Sequence, residues 1–397
     1  MFNYKETMDR LMRQEVTEGR VKGASALVLH RGREIYYNAF GFADAERGIP
    51  MQRDTIIHLY SMTKPITAAA VMILAERGEL DVWDAISGYL PVFKEPEVWN
   101  EEKQCEIPAE REITVWDLLN MTSGIPYPDL IHEPGRRMDK AVRELVKRRE
   151  QGETVDTQEF VRRIASVPLC FQPGEQWMYG FSADILGAVV EAVSGKKFSQ
   201  FLQEELFEPL EMTDTGFFIP KDKQHRFAQY YDLTPGGELK IHTGSHLGEY
   251  YGEDVAFESG GAGLVSTLDD YSHFASMLVN KGKYKGRQIL GRKTVEFMAQ
   301  NHLTDKQREY LTWDSVKGYG YGCLMRVLMD QGQAGFNGSP GEFGWDGWTG
   351  NYVAMDFSEE LVFLYFIQRC GAGATPTLRK LKMVTYSALG DHEGKQK

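Results

Sequence analysis

HLYSMTKPITAAAVMILAERG, residues 58–78, sets a serine and a lysine three positions apart at the head of an apolar run. Ala, Val, Met, Ile and Leu dominate 62–77 and Gly78 supplies a stop, so the stretch reads as a helix buried in a core. Pro65 suits a first turn, where backbone N–H groups have no intrahelical acceptor. Residues three apart share a helix face, so the Lys64 amine can reach the Ser61 hydroxyl. An alcohol needs such a base before it becomes a nucleophile. The positive end of a helix also favours the oxyanion that acyl transfer develops. Ser-x-x-Lys alone is weak, since a chain this long holds roughly one or two by chance. The second match, Ser194-Gly-Lys-Lys197, follows the helical run AVVEAV and precedes Gly195. It therefore falls at a helix C-terminus, where the dipole opposes an oxyanion.

Outward from this helix, ASALVLH and EIYYNAFG read as strands about the turn Arg31-Gly32-Arg33. NYVAMDF and LVFLYFIQ flank Ser358-Glu359-Glu360 in the same way. Helices are expected over 5–19, 62–77, 114–121, 157–166, 182–194, 198–206, 268–281 and 376–389. Strands at both ends with helices between them predict an α/β fold of the α+β type. In it, one antiparallel sheet is built from both chain termini and flanked by helices, beside a mainly helical lobe. The α/β lobe is expected to span about 1–58 and 260–397 and the helical lobe about 59–259, within one catalytic domain. The charge-dense stretch 132–156 is expected to face solvent, and 330–344 reads as a loop.

The chain has 397 residues and a formal charge of −12. That sign disfavours nucleic acid and anionic membrane surfaces, leaving a small molecule as the expected partner. The most apolar stretches fall short of the roughly 20 residues that cross a bilayer. MFNYKETMDRLMRQ lacks the apolar core of a secretory signal, so a cytoplasmic location is expected. Cys105, Cys170, Cys323 and Cys370 are scattered and read as buried free thiols. Nine histidines occur without metal-ligand spacing, so neither a metal nor a cofactor is expected. Oligomeric state is left open.

The segment around Ser61 resembles the nucleophile region of the serine β-lactamase and penicillin-binding protein superfamily. It is most similar to class C β-lactamases and the related family VIII carboxylesterases. The likeness continues, in the family's order, through VWDLLNMTSGI (115–125), PGEQWMYGFSADILGAVVEAVSG (173–195) and PLEMTDTGF (209–217). It returns in GGAGLVSTLDDYSHFASML (260–278) and FGWDGWTGNYVAMDF (343–357). The family's Tyr-x-Asn motif falls on Tyr179-Gly180-Phe181. The resemblance implies an acid/base role for Tyr179, whose pKa a neighbouring ammonium would lower. Which of Lys64 and Tyr179 takes the serine proton is left open. Phe181 replaces the asparagine and removes an amide donor. The third motif, Lys-Thr-Gly or His-Thr-Gly, falls on Trp345-Asp346-Gly347, expected on an edge strand beside the cleft. The esterases carry tryptophan there, usually followed by Gly-Gly, so Asp346 is a further departure. The resemblance implies an oxyanion hole from the backbone N–H groups of Ser61 and Trp348. It implies substrate contacts at Trp345, Asp346, Gly347 and Phe181, with Trp345 as readily a packing residue. Gly180-Phe-Ser182-Ala-Asp184 nearly matches a nucleophile elbow, but Ser182 is expected to cap the helix that follows.

The leading expectation is a serine hydrolase forming an acyl-enzyme on Ser61, a carboxylesterase acting on small neutral esters. A β-lactamase or D-amino-acid amidase or peptidase of the same fold is the alternative, opposed by Phe181 and Trp345. A non-catalytic binding protein ranks below both, because Ser61, Lys64 and Tyr179 are all retained.

Overall fold

The computed structural model describes residues 3–244, 251–253 and 255–389. One antiparallel sheet of eight strands organises it. In chain order these are β1 (Gly23–His30), β2 (Arg33–Asp44), β3 (Ile49–Pro50), β4 (Tyr319–Gly322), β5 (Met325–Leu328), β6 (Phe343–Gly344), β7 (Tyr352–Asp356) and β8 (Leu361–Ile367). Their spatial order is β4-β5-β6-β7-β8-β1-β2-β3, so β8 from one end of the chain pairs with β1 from the other. The β1–β2 turn is a two-residue connection with Arg31 at φ 51° and Gly32 at φ 70°. Positive φ at both positions matches the right-handed twist of the strands it joins.

All seven residues of β8 are buried, because both faces of the sheet are covered. Leu361, Phe363, Tyr365 and Ile367 pack with Met8, Leu11 and Met12 of helix α1 (Tyr4–Thr17), and with Leu378 and Leu381 of the C-terminal helix Pro376–Ala388. The alternate residues Val362, Leu364 and Phe366 face the main core. That core holds helix α2 (Thr63–Glu76), apolar around most of its circumference and buried from Thr63 to Leu74. Gly78, at φ 67°, ends the helix as expected.

Several expectations need correction. The Trp345 segment does not form a sheet edge: β6 lies between β5 and β7, and the hairpin 319–328, whose short glycine-rich strands escaped the sequence reading, extends the sheet beyond it. The stretch 132–156 is not simply solvent-facing. It contains helix α3 (Glu133–Glu150), which buries Met138, Ala141 and Leu145 and half-buries Val142 and Val146. That spacing is a helical stripe, masked in the sequence by the arginines and glutamates between its members. The segment 330–344 is not all loop, holding a helical turn at Gln331–Ala334 as well as β6. Cys323 is buried, but Cys105 is exposed and Cys170 and Cys370 are half-buried; all four are free thiols. Of the stretch 220–258, residues 245–250 and 254 lie outside the described residues. Among the described residues, no helix is long and apolar enough to cross a membrane.

Candidate active site

The short strand Ile57–His58 pairs with Val265–Ser266 and leads into a 3-10 turn, Tyr60–Met62, that feeds directly into α2. Tyr60, immediately before the serine, has φ 46°. A bulky residue in the left-handed region is strained, and the strain persists only where surrounding contacts enforce it. Here they do: the Leu59 N–H donates to the Leu264 carbonyl at 2.9 Å and the Tyr271 hydroxyl to the Met62 carbonyl at 2.8 Å. Ser61 is thus presented at the positive end of a helix that cannot shift within its core.

Lys64 is fully buried. Its Nζ donates to Ser61 Oγ at 3.1 Å, to the Tyr127 hydroxyl at 3.1 Å and to the Gly261 carbonyl at 2.8 Å. It also lies 4.5 Å from the centre of the Tyr179 ring. The Tyr179 oxygen is hydrogen-bonded to Ser61 and accepts from the Trp345 indole N–H at 3.0 Å. The fold therefore brings Ser61, Lys64 and Tyr179 into one contact group and adds Tyr127, which the sequence reading missed. The available signal was a tyrosine bracketed by Pro126 and Pro128 just beyond the 115–125 block.

Burial lowers the Lys64 pKa to about 7, against opposing pulls from Asp184 and Asp346. Burial raises that of Tyr179 well above the usual phenol range, outweighing the hydrogen bonds from Ser61 and Trp345. This corrects the expectation of a lowered tyrosine pKa: desolvation prevails, and the nearby Asp346 and Asp184 carboxylates push the same way.

Of the two readings of Trp345, the packed one matches its burial, and Asp346 and Gly347 make contacts of their own. Trp345 is 2% exposed and stands behind Tyr179, with its indole N–H on the phenol oxygen. Asp346 forms an ion pair with the buried Arg326 at 3.3 Å. That guanidinium, stacked 4.0 Å from the Tyr352 ring centre, explains the departure from Gly-Gly. Gly347 is pressed against the chain entering the Tyr60–Met62 turn, and a Cβ there would stand 2.5 Å from the Leu59 carbonyl oxygen. Asn351, buried, donates to the His58 carbonyl at 3.0 Å and ties the same turn down. Trp348 is consequently held beside Ser61, its ring 5.3 Å from that of Tyr60. Ser182 does not cap its helix; its hydroxyl is buried against that of Ser123 at 2.9 Å. Ser194 ends that helix and bonds back to the Val190 carbonyl, consistent with a C-terminal role.

Ser61, Tyr127, Tyr179, Asp184 and Trp348 open onto a cavity of about 840 Å³. Phe160, Phe181 and Phe257 wall it, with Val142 and Val146 of α3; Asp139, Arg143, Lys147 and Glu150 stand at its rim. Phe181 meets the Tyr127 ring edge to face at 4.5 Å, so the position of the missing asparagine amide is apolar. Elsewhere, the fold gathers Asp232, His242 and Cys370, with one donor atom from each within 4.8 Å of the others. His242 Nδ1 there bonds the Asp232 carboxylate at 2.9 Å.

A family model described as Beta-lactamase matches residues 8–382. Protein Rv1367c of Mycobacterium tuberculosis is 32% identical over 403 residues, covering 96% of this chain and 98% of its own. Esterase EstB of Burkholderia gladioli is 31% identical over 368 residues, covering 88% and 86%. Among solved structures, EstCE1, described as a hydrolase with promiscuous acyltransferase activity, superposes with a TM-score of 0.80 at 25% identity, covering 96% and 98%.

Proposed function

From the premise that this chain belongs to the beta-lactamase family and is a hydrolase of that fold, we propose that it is a carboxylesterase working through an acyl-enzyme on Ser61. The observation that carries the reading is the contact of a buried amine, poised near neutrality, with the serine hydroxyl. A base is most effective when its pKa lies near the working pH. Lys64 meets that condition and Tyr179 does not, so Lys64 takes the Ser61 proton as Oγ bonds to the acyl carbon. The oxyanion is received by the backbone N–H groups of Ser61 and Trp348. Tyr179, still protonated, donates to the departing alkoxide and is recharged from Lys64 across the shared contact. Water then attacks the acyl-enzyme by the reverse proton path, releasing the acid and restoring Ser61.

Two features support an ester over a β-lactam. The Trp345 indole gives Tyr179 a neutral donor where the lactamase motif places a cation, and Phe181 offers no amide to a lactam side chain. EstB carries the name esterase at comparable length. The aromatic cavity also favours an ester whose acyl or alcohol part is bulky and apolar rather than a simple acetate. The test is a p-nitrophenyl ester series from acetate to aryl-alkanoate, run beside nitrocefin. A p-nitrophenol burst of about one equivalent, whose rate rises with acyl size and which vanishes in Ser61→Ala, is expected. Undiminished turnover in Ser61→Ala would refute the reading, and nitrocefin turnover rivalling that of the esters would refute the ester preference. Val146→Trp, which fills the cavity, should lower kcat/KM for the bulkiest ester about 10-fold or more and spare acetate.

A further inference from the structure

We propose that Asp184 is the counter-ion of Lys64 and positions its amine against Ser61, an inference that rests on the hydrolytic reading of the site. Asp184 is 2% exposed and stands in the first turn of the helix Ser182–Ser194, where the dipole favours a carboxylate. Its Oδ1 accepts from the Ser259 hydroxyl and from the Gly261 N–H at 3.2 Å. The carboxylate lies flush on the Gly261 backbone: a Cβ at Gly261 would stand 2.4 Å from Asp184 Oδ2. A Cβ at Gly260 would stand 2.4 Å from the Ala183 carbonyl oxygen, so two consecutive glycines let the turn meet the helix. The carbonyl of that same Gly261 receives the Lys64 amine at 2.8 Å. Carboxylate, turn and amine thus form one continuous chain of contacts, with Asp184 itself lining the cavity.

Of the groups facing Lys64, Ser61 belongs to the lysine's own helical turn, while Tyr127 and Tyr179 bring phenols from two loops. Asp346 brings a carboxylate from the turn after β6, opposed by the Arg326 guanidinium at 3.3 Å. Asp184 brings the other carboxylate, and its hydrogen-bond donors, a hydroxyl and an amide, are neutral. Burial raises the Asp184 pKa and lowers that of Lys64, and the charge of each group partly offsets the shift of the other. A buried charge held this way sets how readily the amine gives up its proton.

Asp184→Asn removes the charge and keeps both the shape and an acceptor for Ser259 and Gly261. The readout is the pH dependence of Ser61 acylation by a fluorophosphonate. The midpoint assigned to Lys64 should move down by about one pH unit. The direction is the same whether the neutral amine or the ammonium is the reactive form, because only the amine's affinity for its proton changes. Ser259→Ala leaves the charge but loosens the carboxylate, so it should slow acylation with the midpoint unmoved. It also supplies the decisive arm if the Asn variant does not fold. An unmoved midpoint in Asp184→Asn, or an equal downward move in Ser259→Ala, would overturn the proposal. Absence of Ser61 labelling in the wild-type protein would instead overturn the hydrolytic reading. Labelling with an unmoved midpoint would defeat this inference alone.

Discussion

Lys64→Met tests the electrostatics on which the site depends. Burial moves the amine from its usual 10.5 to about 7, so at neutral pH the unfolded chain binds a proton more readily than the native one. The sign follows: native stability rises with pH between about 7 and 10.5, by about 1.4 kcal/mol per pH unit, and is flat below the folded value. Relative to a residue that does not titrate, Lys64 destabilises the fold by roughly 4 kcal/mol at pH 7 and by less than about 1 kcal/mol at pH 10. Methionine fills nearly the same volume but leaves the Gly261 carbonyl without its donor, costing about 1–2 kcal/mol at every pH. Lys64→Met should therefore be about 2–3 kcal/mol more stable than wild type at pH 7 and up to about 1 kcal/mol less stable at pH 10. Urea unfolding of both proteins at pH 6, 7, 8, 9 and 10 measures the difference. The informative quantity is its change of about 3.5 kcal/mol between pH 7 and pH 10, because lost contacts cancel from it. A difference that stays constant over that range would mean the ammonium remains charged in the fold. The assignment of Lys64 as first base would then fail.

With Lys64 as the base, kcat/KM for a neutral ester should rise with pH through about 7 and level off above it. A profile falling across that range would reassign the base to Tyr179. Trp345→Phe removes the indole donor to Tyr179 without opening the cavity wall, so kcat should drop about 10- to 100-fold with KM nearly unchanged. A change confined to KM would restore Trp345 as a substrate contact. Gly347→Ala drives a Cβ toward the Leu59 carbonyl oxygen and displaces Trp348 from Ser61. Fluorophosphonate labelling should slow by about 100-fold, the typical cost of losing one oxyanion donor, while circular dichroism reports an intact fold.

Local order was legible in the chain. The Ser61–Lys64 spacing, the buried run behind it and the helices 182–194 and 268–279 carry their own periodicity and stop signals. β1, β2, β7 and β8 are continuous enough in Val, Leu, Ile, Phe and Tyr to read directly as strands. Blocks of family likeness added Tyr179, because its place in sequence order matched. The helix 133–150 was obscured by composition, since cavity-facing Val142 and Val146 alternate with arginine, lysine and glutamate. The third motif left the contacts of Trp345 open, because a motif specifies where a residue stands along the chain and not which way its side chain points.

The sequence by itself determined the Ser61–Lys64 pair at the head of a buried helix and the sheet closed by the two termini, because each rests on spacings of a few residues or on uninterrupted apolar strands. Tertiary structure alone decided the rest of the site: Tyr127 on the amine, the indole of Trp345 behind the phenol, Arg326 answering Asp346, and Gly261 receiving Lys64 from 197 positions away. Those contacts join residues with no local relationship, so nothing in the spacing of one partner announces the other. The pKa of Lys64 is likewise a property of how much water the finished core excludes.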